Sequence, residues 1–266
     1  MRAILITLIT SLSFVLPAHA QPGNDEPDYE WGRTISRTLQ HNGQTYAWSV
    51  MIPEGAEEGG AAILFLHGAG ECGTDGEKNL AVGLPRHVRE HPDRWPFVVI
   101  VPQKPTRNSE WEDHEEAVLK MLDLCEDEGL IDPDRLAITG LSQGGHGTIM
   151  IASRNPDRFK AAAPVCGYVD RRFSEDGTRA QEVPAEPTDE SVVEAAKGLQ
   201  SMPLWLFHGL LDDVVPPDES RALHEALEAL DADSQYSEFK DANHNAWDPA
   251  YSEPEIGAWF QDHTDE

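Results

Sequence analysis

Apolar and polar positions alternate along the chain in blocks that predict strands and helices in turn from residue 34 onward. Short, nearly continuous apolar runs are typical of strands buried on both faces, and they occur at residues 61–66, 97–101, 136–139, 159–165 and 204–207. A more polar last strand fits 235–240, and helices fit 115–128, 144–153, 191–199, 217–230 and 253–263. This alternation predicts an α/β fold with a mainly parallel central sheet flanked by helices.

The first two predicted strands, at residues 35–39 and 46–52, surround the dipeptide Asn42-Gly43. Asn-Gly is the preferred sequence of a tight turn between antiparallel strands. We therefore expect an antiparallel hairpin at the N-terminal edge of the sheet.

Residues 171–187 interrupt the alternation because they are polar and show no periodicity. They lie between two predicted strands and are followed by the short helical segment 191–199. We expect region 171–200 to be an insertion that could act as a lid. Neither an internal repeat nor a second domain is evident, so residues 34–266 are predicted to form one domain.

The first 20 residues have the features of an export signal. Arg2 precedes an apolar run at 3–16, and Ala18-His19-Ala20 is a small-x-small cleavage site. We expect cleavage after Ala20, a secreted or periplasmic mature chain, and a polar linker at 21–33. A membrane anchor is the alternative, but the apolar run is short for a membrane span.

The chain carries 48 acidic residues against 20 Lys and Arg, for a net charge of −28. A charge of this sign repels polyanions, which argues against nucleic acid and anionic membrane surfaces as partners. Solubility is a sufficient reason for such a charge. The number of subunits is not predicted.

Three cysteines, Cys72, Cys125 and Cys166, allow at most one disulfide. Cys72 and Cys166 both follow predicted strands and could be neighbours. Buried free thiols explain them equally well.

A G-x-S-x-G motif at residues 140–144 directly follows the predicted strand 136–139 and opens a predicted helix. This is the context of a nucleophile elbow, in which a sharp turn lifts the serine above the sheet. Ser142 is therefore the candidate nucleophile. A glycine-rich turn without catalytic meaning is the alternative, since the motif alone arises readily by chance.

A serine hydroxyl needs a base, and the base needs an orienting acid. When a nucleophile elbow follows a strand of such a sheet, the three triad residues occur along the chain in the order serine, acid, histidine. Asp212 and Asp213 both lie in the loop after strand 204–207, and His244 lies in the loop after the last predicted strand. Of the other histidines considered as the base, His224 falls within a predicted helix and His263 near the C-terminus.

An oxyanion hole requires two backbone N–H groups near the reacting carbonyl. One is expected from Gln143, the residue after the nucleophile. The second is expected from the loop that follows strand 61–66, where Ala69 is the candidate and Gly70 the next choice. His67 is expected to brace this loop by hydrogen bonds.

The chain resembles bacterial phospholipase/carboxylesterase-like α/β-hydrolases, including secreted members labelled predicted peptidases. It is also similar to feruloyl and acetyl-xylan esterases and to polyhydroxybutyrate depolymerases. The resemblance covers about residues 60–260. The segments that carry it are short motifs spread along the chain: His67-Gly68-Ala69-Gly70-Glu71, Pro102-Gln103, Asp132-Pro133-Asp134-Arg135, Gly140 to Gly145, Pro164-Val165-Cys166-Gly167, His208-Gly209, Asp212, Val215-Pro216 and His244-Asn245-Ala246-Trp247.

The resemblance implies the α/β-hydrolase fold and a Ser142, Asp212, His244 triad, because the family's H-G-x-x-D register selects Asp212 over Asp213. His146 departs from the pattern, since an aromatic residue is common there. We predict that a substrate pocket includes Gly70, Trp111, His146 and Trp247. Ordinary packing is the alternative for both tryptophans.

These residues predict a serine carboxylic-ester hydrolase that acts through an acyl-enzyme on small-molecule or polysaccharide-borne esters. A serine peptidase and a non-catalytic binding module are the alternatives. The chain lacks an H-E-x-x-H motif and a nucleotide-binding loop, so neither a metal nor another cofactor is predicted.

Overall fold

The computed structural model describes residues 32–57, 59–174, 177–179, 187 and 189–265. The predicted export signal at 1–20, nearly all of the predicted linker at 21–33, and much of the predicted insertion lie outside the described residues.

One eight-stranded sheet runs through the described part of the chain, in the order β1-β2-β4-β3-β5-β6-β7-β8. Strand β1 pairs antiparallel with β2, β2 pairs antiparallel with β4, and all other neighbours are parallel. The α/β-hydrolase architecture and its antiparallel N-terminal edge are thus confirmed. The strands are β1 (Arg33–His41), β2 (Gln44–Ile52), β3 (Gly60–Leu66), β4 (Val98–Pro102), β5 (Ile131–Leu141), β6 (Ala161–Val165), β7 (Leu204–Gly209) and β8 (Ser234–Phe239).

The helices of the described residues fall into α-helices and single 3₁₀ turns. The α-helices are α1 (Gly83–Glu90), α2 (Glu115–Asp127), α3 (Gln143–Arg154), α4 (Asp189–Leu199), α5 (Asp218–Glu228), α6 (Trp247–Ser252) and α7 (Ile256–Thr264). The 3₁₀ turns are Ala69–Glu71, Lys78–Leu80, Pro92–Arg94 and Trp111–His114. None of the helices in this part of the chain is both long and apolar enough to cross a membrane.

Two helical regions differ from the prediction. Helix α1 was not predicted, because its eight residues contain only two large apolar side chains, Leu84 and Val88. The helix expected at 253–263 corresponds to α7, which begins at Ile256, and the short helix α6 that precedes it was not predicted. Glu253 between them is extended, with ψ 123°, as expected for a residue that precedes a proline.

The continuous apolar runs have the burial that they predicted. Every residue of β3 and β4 is buried, whereas the edge strand β1 alternates between half-buried and exposed positions. One face of the sheet packs against apolar side chains of α1, α6 and α7, among them Leu84, Tyr251 and Phe260. Burial of each large apolar side chain contributes about 1.5–3 kcal/mol.

The carboxyl ends of β3, β5, β7 and β8 lie at one edge of the sheet because these strands are parallel. Loops that follow parallel strands meet at this edge, which is where open α/β sheets bind ligands. The loops that contain the predicted site residues are therefore neighbours.

Candidate active site

Ser142 occupies the tip of the sharp turn between β5 and α3. Its backbone has φ 54° and ψ −116°, a conformation that costs a residue other than glycine about 1–3 kcal/mol. The turn is held in place by the N–H of Ser142, which donates to the carbonyl of Val165 on β6 at 2.9 Å. This is the geometry of a nucleophile elbow.

The glycines of the motif permit a close approach of backbones. A Cβ atom on Gly144 would overlap the carbonyl oxygen of Leu66, and one on Gly140 would overlap the carbonyl oxygen of Gly144. The first turn of α3 therefore lies directly against the end of β3. Close packing of the backbone therefore requires glycine at these two positions of the motif.

The three predicted triad residues lie in one hydrogen-bonded chain. Nε2 of His244 is 2.9 Å from Oγ of Ser142, and Nδ1 is 2.8 Å from Oδ2 of Asp212. Because Nδ1 faces a carboxylate, it carries the proton of the neutral ring. Nε2 is then the acceptor for the serine proton, as a general base requires.

Asp212 and Asp213 have different environments. Asp212 is 8% exposed and accepts the N–H groups of Val214 and Val215 on Oδ1, both at 2.9 Å, whereas Asp213 is exposed. Burial raises the pKa of Asp212, but hydrogen bonds from His208, His244 and the two amides outweigh it and hold the pKa below its usual range. The carboxylate therefore stays ionised at neutral pH and can stabilise an imidazolium.

His208 is a second support of Asp212, and sequence reasoning did not assign it this role. Its Nε2 lies 3.3 Å from Oδ2 of Asp212 and 3.0 Å from the carbonyl of Val215, while Nδ1 lies 2.7 Å from Oγ of Ser220. Nε2 faces two acceptors and therefore carries a proton. The H-G pair before Asp212 was visible in the sequence, but its partner on α5 was not.

The two candidate oxyanion donors lie at the starts of helical turns. Gln143 is the first residue of α3, so its N–H has no acceptor within the helix and lies at the positive end of the helix dipole. Ala69 begins the 3₁₀ turn that follows β3. Both positions suit backbone donors that face a developing negative charge.

His67 braces the loop that contains Ala69, as expected. Its buried Nδ1 donates to the carbonyl of Gly68 at 2.6 Å, and Nε2 accepts the N–H of Lys104 at 2.9 Å. Burial lowers the pKa of His67 to about 3, so the ring stays neutral. A neutral ring can both donate and accept, as this loop requires.

Two of the four predicted pocket residues lie at the surface beside the triad or the oxyanion loop. The ring of Trp247 is perpendicular to that of His244, with 5.6 Å between centroids, and is partly exposed. Gly70 is exposed, and a Cβ atom there would meet nothing within 4 Å. A role for both in the pocket stays a prediction.

The other two predicted pocket residues are buried, so the prediction that they contact substrate is wrong. Trp111 is 1% exposed because the 3₁₀ turn at 111–114 directs the indole inward against Gly147 of α3. His146 is fully buried and stacks on Tyr168 with 4.4 Å between centroids. Burial lowers the pKa of His146 and pairing with Glu112 raises it. Together with its other hydrogen bonds and charges, the net shift of the pKa is upward.

All three cysteines are free thiols. Sγ of Cys166 lies within 4.8 Å of ligand atoms of Asp212 and His244, a set of atom types that can bind metals. Burial raises the pKa of the Cys166 thiol, however, and metals bind the thiolate. The ligand atoms of Asp212 and His244 are also hydrogen-bonded to each other, so this set does not fit a metal site.

The described beginning of the predicted insertion is anchored to the domain. Arg171 donates to Glu112 and Asp113, and the N–H groups of Arg172 and Phe173 donate to the carboxylate of Glu110. Residues 175–176, 180–186 and 188 are outside the described residues, so the lid stays a prediction.

The chain is similar to known hydrolases. The family model of the prolyl oligopeptidase family (Peptidase_S9) matches residues 109–265, more than half of the chain. The crystal structure of a thermostable esterase is 27% identical with a TM-score of 0.67, and the match covers 86% of this chain and 62% of that one. A ferulic acid esterase is 19% identical with a TM-score of 0.65, over 87% of this chain and 96% of that one, which shows a shared fold.

A curated relative is known only as an uncharacterized secreted protein of Arthroderma benhamiae. It is 33% identical over 130 residues, which are 44% of this chain and 13% of the relative. The chain therefore spans less than two thirds of both this relative and the thermostable esterase. Together, the matches support a serine hydrolase with the α/β-hydrolase fold.

Proposed function

The chain belongs to the prolyl oligopeptidase family, and from this premise we propose that it is an exported hydrolase of carboxylic esters. The family and the structural neighbours support a serine hydrolase; the ester substrate and the export are our proposal. The observation that carries it is the chain of hydrogen bonds from Ser142 through His244 to Asp212, at 2.9 and 2.8 Å.

In the proposed acylation step, Oγ of Ser142 attacks the ester carbonyl carbon while Nε2 of His244 accepts the hydroxyl proton. Asp212 stabilises the imidazolium that forms. The N–H groups of Gln143 and Ala69 bind the carbonyl oxygen as it becomes negative. The tetrahedral intermediate then collapses, the bond to the alcohol oxygen breaks, and His244 returns the proton to the leaving alcohol.

Deacylation repeats these steps with water as the nucleophile. His244 accepts a proton from water, the hydroxide adds to the acyl carbon, and the bond to Oγ breaks as Ser142 is reprotonated. The products are the free acid and the regenerated enzyme. Every proton transfer uses Nε2, which lies against Oγ in the resting structure.

Peptide hydrolysis is the second candidate, because the matching family is named for an oligopeptidase. We rank it second because a thermostable esterase shares both the fold and 27% sequence identity with this chain. The same triad can act on either bond, so the comparison must be made with matched substrates.

We expect the purified enzyme to hydrolyse the p-nitrophenyl ester of a given acyl group with a kcat/KM at least about 100-fold above that of the matching p-nitroanilide, equivalent to about 2.7 kcal/mol. Both substrates share the acyl group and differ in the atom that leaves. A peptidyl anilide that is cleaved faster than its ester would favour the peptidase instead. Absence of labelling of Ser142 by a fluorophosphonate would favour the binding module.

The proposed substrates are small-molecule or polysaccharide-borne esters outside the cell. The similarity of fold to a ferulic acid esterase motivates feruloyl esters of sugars as candidates, and the sequence resemblance to acetyl-xylan esterases adds acetyl esters. Activity measured over p-nitrophenyl esters of increasing chain length, feruloyl esters and acetylated sugars would identify the acyl group. Nucleic acid and membrane surfaces are not proposed as partners, since the net charge is −28.

Export predicts a specific N-terminus. When the full chain is expressed in a bacterium with a general secretion pathway, the mature protein is expected to begin at Gln21, because Ala18 and Ala20 form the cleavage site. N-terminal sequencing of the extracytoplasmic fraction measures this. Substitution of Ala20 by Arg should leave the precursor unprocessed, and a chain retained in the cytoplasm with Met1 intact would contradict the proposal.

A further inference from the structure

A short segment, Ser109 to Trp111, lies between the two halves of the predicted oxyanion hole. It follows β4 and leads into the 3₁₀ turn at 111–114. Its residues contact Gln143 on one side and His67 on the other. We call it the 109–111 segment.

On the first side, the segment binds the side chain of Gln143. Nε2 of Gln143 donates to the carbonyl of Ser109 at 2.9 Å and to Oε2 of Glu110 at 3.0 Å. The carbonyl of Arg107 is also near, at 3.3 Å. Because all three neighbours are acceptors, the NH₂ group is the end of the amide that points toward them.

Glu110 connects this contact to the chain beyond β6. Its fully buried carboxylate accepts the hydroxyl of Tyr168 at 2.9 Å and the N–H groups of Arg172 and Phe173 at 3.0 and 3.1 Å. Burial, together with the negative charge of Glu110, raises the pKa of Tyr168 well above its usual value, so the phenol remains a donor. A buried carboxylate with this many donors has one defined position.

On the second side, the segment binds the loop that contains Ala69. Nε1 of Trp111 donates to the carbonyl of His67 at 3.0 Å, and the two rings pack edge to face at 4.9 Å between centroids. The same indole lies against Gly147 of α3, the helix that begins with Gln143. The buried indole is thus in contact with both elements that supply the predicted oxyanion donors.

We propose that the 109–111 segment is a positioning element for the oxyanion hole, in which Glu110 holds Gln143 and Trp111 holds the His67 to Ala69 loop. The inference rests on the proposed function. Oxyanion donors act only when they lie about 2.7–3.1 Å from the developing charge. An error of about 1 Å in such a group lowers the rate by about 100-fold.

The test uses Glu110→Gln, which keeps the volume but replaces one acceptor oxygen by a donor, and Trp111→Phe, which keeps a ring but removes the indole N–H. The control is Glu219→Gln. Glu219 is also buried and accepts a backbone N–H, from Val169 at 2.9 Å, and within the described part of the chain it makes no hydrogen bond to the triad or to Gln143. The Glu219→Gln variant therefore measures how the loss of a buried acid changes the stability of the fold alone.

Each variant is assayed for kcat and KM with p-nitrophenyl acetate and for inhibition by phenylboronic acid. The tetrahedral boronate formed on Ser142 places an oxygen in the oxyanion hole. We expect Glu110→Gln and Trp111→Phe to lower kcat by about 10- to 100-fold, to leave KM within about 3-fold, and to raise the boronate Ki by a factor similar to the loss in kcat. Glu219→Gln should leave all three within about 3-fold.

If Glu110 and Trp111 have only a structural role, all three variants should have a lower melting temperature and an unchanged kcat and boronate Ki. That result would overturn the inference. A loss confined to KM overturns it as well. If Glu110→Gln does not fold, Trp111→Phe supplies the same comparison. A wild-type enzyme without esterase activity or fluorophosphonate labelling refutes the proposed function, and the inference with it, whereas an active wild type with unaffected variants refutes the inference alone.

Discussion

Replacing Ser142 with alanine is expected to lower kcat/KM for esters by about 10⁴- to 10⁶-fold, the range seen when a catalytic triad loses its nucleophile. The hydroxyl is the group that His244 faces at 2.9 Å, and alanine has nothing to replace it. Steady-state hydrolysis of p-nitrophenyl acetate measures the loss. Fluorophosphonate labelling should disappear in parallel.

A glycine at the same position separates catalysis from strain. Ser142→Gly should be as inactive as Ser142→Ala but more stable by about 1 kcal/mol. The backbone at φ 54° costs about 1–3 kcal/mol with a Cβ atom present, and glycine's additional unfolded-state entropy offsets about 0.4–1 kcal/mol of that relief. Thermal unfolding should show this as a melting temperature about 2–4 °C higher.

Two outcomes would contradict this account. Residual activity of either variant within about 10-fold of wild type would mean that Ser142 is not the nucleophile. A glycine variant less stable than the alanine variant would mean that the turn is not strained. The two variants differ by one methyl group, so other effects are matched.

Asp212→Asn is expected to lower kcat by about 10⁴-fold with little change in KM. The asparagine oxygen can still accept the N–H groups of Val214 and Val215, so the loop should keep its shape. Its NH₂ group would then face Nδ1 of His244, which must become the acceptor. The ring proton moves to Nε2, and His244 can no longer accept the proton of Ser142.

Asp213→Asn is the matched control, because it makes the same chemical change one residue away. Asp213 is exposed, and its substitution should change kcat by less than about 3-fold. Equal losses in the two variants would indicate a general charge effect on the loop. A large loss in Asp213→Asn alone would transfer the role of the acid to that residue.

Local patterns accounted for most of the sheet. The apolar runs at 61–66 and 97–101 predicted strands that are buried on both faces, and Asn42-Gly43 predicted the hairpin, because a two-residue turn depends only on its own residues. Helix α1 was not predicted because its stability comes from the packing of Leu84 and Val88 on the sheet. Its eight residues are too few to show a helical pattern of apolar positions.

The side chains around the site were harder to predict than the strands. Trp111 and His146 were expected in a pocket because of their positions in the chain, but both point into the protein. Glu110 was not singled out, although its carboxylate has partners on two separate segments, the start of α3 and the chain after β6. Orientation toward the interior depends on neighbours that are distant in sequence.

By itself, the sequence determined the order of the strands along the chain, the elbow at Ser142 and the loops in which an acid and a base must lie, because periodicity and glycine positions act over a few residues. The resemblance to a known family already favoured Asp212 over Asp213, but only the tertiary structure decided that this carboxylate turns inward to His244 and which side chains support the pair. That choice depends on hydrogen bonds between segments that meet only when parallel strands bring their ends to one edge of the sheet.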